Sequence, residues 1–363
     1  MRSPSAVKNT RETISNSNLL FYIAGGIFLL MYGFAVVAYP RSFLQFQTFF
    51  DLFSLNAPFI ITTLGISIVM IGGGIDISVG SVMGLVTMAC AVLLQIHDGS
   101  IGGAILLALA IGLAFGLLQG FLIAYLEIQP FIITLAGLFL GAGLLTIIHK
   151  DPLNVTAPAF VALRDLEVVV PWLGTTNRIG NFIPLAIKPG AFVVFVLVIG
   201  LAAVMRWSRF GRNLYAVGGN SQSALMLGIN VKRTKFFSYV LCGLLAGVAG
   251  FVFIMTTGAG NVGNGAGMEM KAIAAAIIGG TMLNGGVGNL LGSPVGALTL
   301  LTINELIRAA GVGSNLQAII AGLLLYLFIV LQSAVVGLRG GRRFRLLLPS
   351  WLISTKKSAN QSG

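Results

Sequence analysis

Apolar runs long enough to cross a membrane alternate with short polar segments along the whole chain. A membrane-spanning helix needs about 20 mostly apolar residues, and ten segments reach or approach that length. The third, sixth and eighth are shorter, so we expect them to extend into their flanks. The pattern predicts an all-α polytopic membrane protein with about ten transmembrane helices, at Leu19–Tyr39, Leu55–Ile71, Ser81–Ile96, Ile101–Leu126, Pro130–Ile148, Ala191–Met205, Phe236–Thr256, Met270–Leu283, Leu290–Ile307 and Leu316–Gln332.

The composition agrees with this pattern and excludes a soluble domain. Hydrophobic residues make up 56% of the chain and charged residues 9%, whereas a soluble globular chain is about 25% charged. The mean hydropathy is +0.96. The net charge of +12 does not indicate a nucleic acid partner, because the Lys and Arg residues lie at the ends of apolar runs, where they set membrane orientation.

The positive charges cluster in three places that agree with one topology. Residues 1–18 and the basic tail 334–363 are predicted to be cytoplasmic, because cationic flanks stay on that side. The transmembrane body 19–333 then crosses an even number of times, which puts the cationic loop 206–235 inside and the loop 150–190 in the periplasm. Eight spans would satisfy the termini as well, if Leu55–Ile96 formed a re-entrant hairpin.

The loop 150–190 is too long to be a simple connection. It contains five prolines, and the pattern predicts a short strand or an amphipathic segment near Phe160–Val170. Two interpretations stay open for this loop. One is a surface for an external partner, and the other is a structured cap without a partner.

A polar island, Met205–Phe237, separates the sixth and seventh apolar runs and contains no acidic residue. Its middle, Asn220–Gly228, is predicted to form a short helix. Ser221 or Asn220 supplies a capping side chain at its start, and Gly228 a C-terminal stop. A short, exposed, basic helix between two spans indicates a docking element for another protein.

The glycine-rich stretch Gly72–Ser81 interrupts the apolar pattern. Glycines break a membrane helix, and the freed backbone groups must find partners or line a water-filled path. Asp76 is an ionisable group within this break, which favours a role in a pathway or gate. Alternatively, Asp76 caps the next helix by accepting hydrogen bonds from N–H groups near Ser78 and Val79.

Other polar groups lie inside or at the edges of apolar runs and are candidates for a solute path. Hydroxyl and amide groups suit a neutral, hydroxyl-rich solute better than an ion. The alternative for each is a hydrogen bond between helices, which contributes about 0.6 kcal/mol. Together with Asp76, the candidate pathway or gate residues are Ser78, Ser81, Asn56, Gln119, Thr134, Asn284 and Asn304.

Glycines spaced by four residues recur on several predicted helices. Such spacing lets two helices approach closely, which predicts tight packing within one subunit or, for one face, a dimer seam. The motifs are Gly112-x3-Gly116-x3-Gly120, Gly137-x3-Gly141, Gly243-x3-Gly247 and Gly292-x3-Gly296. In addition, Val79–Gly84 and Val287–Gly292 are similar, and each follows a glycine pair. This indicates a weak internal repeat or chance convergence of glycines.

Signals for an enzyme are missing from the sequence. There is no G-x-x-x-x-G-K-[ST] phosphate-binding loop, and His97 and His149 lack metal-ligand spacing. We therefore expect a chain without catalytic residues, without a metal site and without a cofactor of its own.

Three stretches resemble one protein family. Gly73–Ser81, reading GGIDISVGS, is similar to the GGIDLSVGS stretch of permease subunits from ribose-type sugar ABC importers. Gly211–Asn220, followed by Ala224 and Gly228-Ile229, resembles their cytoplasmic loop, and Ile278–Gly288 resembles a third stretch. The EAA-x3-G pattern of ABC coupling loops is met only loosely, because Gln222 stands where that pattern has an acid.

The resemblance implies a permease subunit of a carbohydrate-uptake ABC importer in the bacterial inner membrane. Its partners would be a second permease, the same chain or a homologous one, a cytoplasmic ATPase that binds ATP and Mg, and a periplasmic solute-binding protein. The residues implied to contact the ATPase are Asn220, Ser223, Ala224, Gly228 and Ile229.

A monosaccharide is the expected solute. The alternatives are an ABC permease for nucleosides or autoinducer-2, or a stand-alone secondary carrier for a small neutral solute. A coupled secondary carrier should place ionisable groups in the middle of its spans. Here Glu269 and Glu305 lie near predicted span ends, which weighs against a carrier.

Overall fold

The computed structural model describes residues 4–176, residues 182–311 and six single positions between 316 and 330, with side chains from Leu19 onward apart from Arg41, Thr175 and Thr176. The predicted helical fold class is confirmed, with two small two-stranded sheets added. The helices are α1 Pro4–Ala38, α2 Pro40–Phe43, α3 Phe46–Leu55, α4 Ala57–Ile71, α5 Val79–Gln95, α6 Ile101–Ala124, α7 Pro130–Ile148, α8 Pro158–Arg164, α9 Pro189–Trp207, α10 Arg209–Gly219, α11 Ser221–Met226, α12 Val231–Thr257, α13 Met268–Ile278 and α14 Gly292–Ala309. The strands are β1 Leu153–Asn154, β2 Val168–Thr176, β3 Phe182–Ile187 and β4 Ala259–Gly260.

Five helices among the described residues are long and apolar enough to cross a membrane. They are Leu19–Ala38 within α1, and α6, α7, α9 and α12; the pair α3 and α4, bent by 58°, makes a sixth candidate. The predicted spans at α5, α13 and α14 exist as shorter or less apolar helices. The tenth predicted span, Leu316–Gln332, and the tail lie largely outside the described residues.

The predicted span Leu19–Tyr39 agrees with the candidate span Leu19–Ala38, and the helix ends of the second to ninth spans differ from the predicted bounds by up to five residues. The first helix begins at Pro4 and not at Leu19, so the polar stretch 4–18 continues the helix of the first span. The eighth span, predicted as Met270–Leu283, is the helix Met268–Ile278, which ends at a glycine pair. Glycines in a long apolar run end a helix without any change in hydropathy, so the apolar pattern does not reveal this end.

The centre of the molecule is α4, in which every residue from Ala57 to Ile71 is buried. It packs against α12, α13, α14 and α9. By contrast, α6, α7 and α9 expose large apolar side chains, for example Leu106, Ile147 and Val196. Exposed apolar faces of this kind fit contact with lipid.

The glycine motifs mediate close packing inside this chain. A Cβ added to Gly116 of α6 would lie 2.9 Å from the carbonyl oxygen of Tyr239 in α12, and Gly112 faces Gly243 and Gly247. This confirms the predicted packing within one subunit. The Gly292-x3-Gly296 motif likewise packs on the backbone of α13.

The loop 150–190 is folded as a small cap. Its helix α8 buries Phe160 completely, and β2 and β3 form an antiparallel hairpin. The short strand β1 pairs with β4 beyond α12. The predicted single segment Phe160–Val170 is wrong in detail, because the chain turns at Asp165 and divides it between α8 and β2.

Candidate functional site

The helix α11 within the polar island is built as the sequence predicts. Asn220 is the capping residue, and its Oδ1 accepts a hydrogen bond of 2.8 Å from the backbone N–H of Ser223. Ser221 instead donates its hydroxyl to the carbonyl of Val217 at 3.0 Å. Gly228 follows the helix with φ +77°, a backbone conformation that glycine adopts at little cost.

The exposed surface of α11 is polar at Gln222 and Ser223 and apolar at its C-terminal end. Leu225, Met226 and Leu227 are 65%, 88% and 79% exposed, whereas Ala224 is 2% exposed. Ala224 is therefore packed within this chain, and the expectation that it contacts a partner stays a prediction. The exposed trio was missed, although three consecutive large apolar residues in a polar loop are a visible signal for a docking surface.

An ion pair joins the polar island to the turn between α6 and α7. Lys232 Nζ lies 2.8 Å from Glu127 Oε1. The hydrogen bond and the charge of Lys232 lower the pKa of Glu127. Because the ion pair joins them, this turn and the start of α12 lie on the same side of the membrane, which we call the island side.

Five glycines form a backbone contact between the polar island and the two interrupted spans. A Cβ on Gly285 would lie 2.6 Å from Gly73 Cα and 2.8 Å from the Gly218 carbonyl oxygen. The N–H of Gly286 donates to the carbonyl of Ile71 at the end of α4, at 2.8 Å. We call this contact the glycine hub, and its members are Gly73, Gly218, Gly219, Gly285 and Gly286.

A tyrosine side chain strengthens the same contact. Tyr215 of α10 donates its hydroxyl to the carbonyl of Gly288 at 2.9 Å. Burial raises the pKa of Tyr215 to about 12, so the phenol stays protonated and remains a donor at neutral pH. The helix before α11 is thus fixed to the segment between α13 and α14.

The two span interruptions share one turn geometry. Gly72 and Gly279 each continue the helix, with N–H bonds back to Ile68 and Ala275 of 3.2 and 2.8 Å. The next residue of each pair is left-handed, with φ +79° at Gly73 and +93° at Gly280. The repeat suggested by the sequence therefore holds for the glycine pairs. It does not hold for the segments after them, since Val79–Gly84 is helical whereas α14 begins only at Gly292.

Asp76 lies in the first interruption and is 3% exposed. Its Oδ1 accepts hydrogen bonds from the Ser78 N–H at 2.9 Å and from the Ser78 hydroxyl at 2.7 Å. Gln119 of α6 donates to Ser78 Oγ at 2.8 Å, and Ser81 donates to the Ser78 carbonyl at 2.8 Å. The predicted bond from the Ser78 N–H is present, but Ser78 is itself the N-cap residue of α5 and that helix has no side-chain cap. Both the capping role and the gate role of Asp76 stay predictions.

The remaining pathway candidates lie apart from this network. Thr134 is fully buried and donates to the Pro130 carbonyl at 2.9 Å, within its own helix. Asn56 lies at the bend between α3 and α4, Asn284 is exposed beside the glycine hub, and Asn304 is partly buried on α14. The structure therefore groups Asp76, Ser78, Ser81 and Gln119 and separates the other four.

A cavity of about 770 Å³ opens beneath α11. It is bounded by α11, by the turn between α6 and α7 and by the first interruption, and its lining includes Gly74, Tyr239 and Lys232. The Tyr239 hydroxyl donates to the Ile75 carbonyl at 3.2 Å, so this ring closes the cavity next to the Asp76 network.

Comparison with known proteins matches residues 48–329 to the family described as branched-chain amino acid transport system / permease component. The chain is 35% identical over 327 residues to the inner membrane ABC transporter permease protein YjfF of Escherichia coli strain K12, which covers 90% of this chain and 95% of that protein. It is 32% identical over 295 residues to the fructose import permease protein FruG of Bifidobacterium longum, which covers 81% and 84%.

A third relative is the ribose import permease protein RbsC of Escherichia coli strain K12. It is 32% identical over 247 residues, which cover 68% of this chain and 73% of that protein. No solved structure matches the chain.

Proposed function

Because the chain belongs to this family of permease components, we propose that it is the transmembrane subunit of an ATP-binding cassette importer for a monosaccharide. The relatives are named as permeases for fructose and for ribose, and hydroxyl-bearing solutes are the class that both names share. This chain supplies the route through the membrane. A separate subunit hydrolyses ATP with Mg.

The observation that carries the proposal is the glycine hub. It connects α10, the helix directly before α11, to both interrupted spans through backbone contacts. A backbone contact has no side-chain torsion that absorbs movement, so a displacement of α11 reaches both interruptions. Interrupted helices are where transporters bind and release their solutes.

The proposed ATPase contact is the exposed apolar surface of α11. Leu225, Met226 and Leu227 form a small apolar patch, which is typical of a protein contact surface. The polar island also carries exposed cations, among them Arg212, Lys232 and Arg233. Asn220 and Gly228 set the shape of α11, and Ser223 and Ile229 lie at its edge. In this arrangement the polar island and both termini are cytoplasmic, and the cap 150–190 is periplasmic.

A solute-binding protein on the cap side and a second permease, identical or homologous, complete the proposed importer. Several relatives carry the words ABC transporter or import in their names, which supports an assembly over a stand-alone carrier. Other relatives are named as permeases for autoinducer 2, so the uptake test includes this solute. It also includes nucleosides, the other alternative that the sequence leaves open.

Co-purification of this chain with the ATPase encoded beside its gene tests the proposal. We expect Leu225→Asp and Met226→Asp to reduce retention of the ATPase at least tenfold, because each places a carboxylate in the apolar contact. Trp172→Asp, equally exposed but on the cap, is the matched control and should retain the ATPase. Full retention by both α11 variants would overturn the docking site.

Uptake measurements then identify the solute. Vesicles that contain the whole importer should take up labelled fructose or ribose only with ATP, and the α11 variants should lose this uptake. Uptake that follows a proton or sodium gradient without ATP would favour the secondary carrier. Uptake of a nucleoside or autoinducer 2 in place of a monosaccharide would revise the solute class.

A further inference from the structure

The segment between α12 and α13 runs along α5 as the short strand β4 followed by consecutive turns, before α13 begins. Gly260 lies against Met88 and Ala91 of α5, and Gly265 packs on the backbone of Gly80 at the start of that helix. From Ala91 to Gly80 the segment thus follows α5 for about 16 Å, at 1.5 Å per residue. The helix α13 therefore starts deep inside the bilayer.

A charged residue on α13 is exposed at this depth. Gly280, just after α13, contacts Leu20 at the island-side end of the first span, which marks the membrane boundary. Lys271 is exposed and lies about 10 Å inside that boundary, counted from Ile278 at 1.5 Å per residue. Helical side chains lean toward the N-terminus, so Lys271 leans away from the island side. An ammonium group at this depth against lipid is costly, so this face of α13 borders water or polar groups.

A carboxylate lies in the same turn. Glu269 is 8% exposed, and its Oε2 contacts Gly80. Within the described residues its side chain has neither a hydrogen bond nor an ion pair. The helices α5 and α13 both begin here, and the partial positive charge of two helix N-termini stabilises an anion or a polar oxygen atom.

We propose that the exposed face of α13 at Lys271 lines the water-filled solute passage, where the Lys271 ammonium group donates to hydroxyl oxygen atoms of the solute. Glu269, two residues earlier, points to the opposite side of the helix and lies between α13 and α5. An ammonium donor at this depth suits a neutral, hydroxyl-rich molecule, whose oxygen atoms accept hydrogen bonds. The assignment rests on the proposed function, since it presumes a passage through this chain. It names Lys271, which the sequence pattern places near a span end and which the count along α13 places about 10 Å inside the membrane boundary.

Thiol accessibility in membrane vesicles tests the site. We expect Lys271→Cys to react with a charged methanethiosulfonate reagent at least tenfold faster than Ile199→Cys, because thiols react as thiolates in water. Ile199 is a matched control, since it is exposed on α9 about 12 Å from Trp207. The native Cys90 and Cys242 are buried and give a low background. Equal rates for the two variants would overturn the proposal.

Met270→Cys supplies a second variant that keeps both charges. Met270 is 58% exposed on the same turn. We expect its rate ratio for an anionic over a cationic reagent to fall at least threefold when Lys271→Gln is added. An unchanged ratio after Lys271→Gln would show that the Lys271 side chain does not face the passage, and would overturn the proposal.

A solute passage should change its accessibility when the ATPase binds nucleotide, whereas a static crevice should not. In vesicles that contain the ATPase, ATP with vanadate should change the labelling rate of Met270→Cys at least threefold, and a fast but unchanged rate would overturn the passage. Labelling without the ATPase measures this chain alone. Slow labelling of this chain alone would overturn the passage site. The co-purification of the α11 variants with the ATPase tests the proposed function separately.

Discussion

At the scale of single residues, the closest packing in the described part of this molecule is between backbone atoms at glycines. Gly218 faces the Ile71 carbonyl and lies 2.6 Å, measured from an added Cβ, from the Gly286 nitrogen. The glycine signal is visible in the sequence, because glycine pairs stand out in apolar runs. Which pairs meet depends on the packing of α4, α10 and the segment after α13, so the glycine hub could not be predicted from the chain.

Gly218→Ala should destabilise the protein by about 1–3 kcal/mol, as overpacking does, because the opposing atoms are backbone. The measurement is the thermal midpoint of the detergent-solubilised chain. Gly143→Ala is the matched control, since nothing lies within 4 Å of an added Cβ there and alanine favours a helix. A midpoint for Gly218→Ala as high as that of the control would contradict the tight contact.

Tyr215 gives a pH-dependent prediction. Its pKa is raised from 10.0 to about 12, so the folded protein holds this proton more tightly than the unfolded chain does. The resulting stabilisation is present below about pH 10 and is lost as the pH rises toward about 12. Tyr215→Phe should remove this part of the alkaline decline, measured as thermal midpoints from pH 8 to 12. Parallel wild-type and variant curves would contradict it.

At the scale of elements, local chemistry predicts α11 well and α13 poorly. The Asn220 cap and Gly228 define α11 within nine residues, so their effect is readable from the sequence. The start of α13 depends on residues 259–267 following α5, a long-range contact that apolar periodicity does not contain. For the same reason the sequence does not reveal that Ala224 is buried while its three successors are exposed.

Two substitutions at Asp76 separate a capping role from a gate. Asp76→Asn keeps an acceptor oxygen for the Ser78 N–H, whereas Asp76→Ala leaves buried donors without partners, at a cost of about 1–3 kcal/mol. If Asp76 only caps, Asp76→Asn keeps both folded yield and uptake, and Asp76→Ala lowers both in proportion. We expect the gate outcome, in which uptake falls more than yield in both variants, measured side by side in vesicles.

At the scale of the whole molecule, charge placement predicts one orientation. Ser223→Cys on α11 should react with a membrane-impermeant maleimide only after the cytoplasmic side is opened, and Trp172→Cys on the cap should react in intact cells. Both side chains are exposed. The reverse labelling pattern would invert the topology, and labelling of both from outside would contradict the placement of the cap and the polar island on opposite sides.

Because the glycine hub is a contact between backbone atoms, a defect at Gly218 should be hard to repair by a second mutation in the hub. A defect caused by a larger residue in a core is often repaired by a smaller residue opposite it, but the groups opposite Gly218 are a carbonyl and an amide that every amino acid carries. No substitution at Ile71 or Gly286 removes them. Selection for restored growth after Gly218→Ala should therefore return the original codon or changes far from the contact, and compensating mutations at the contact itself should be absent.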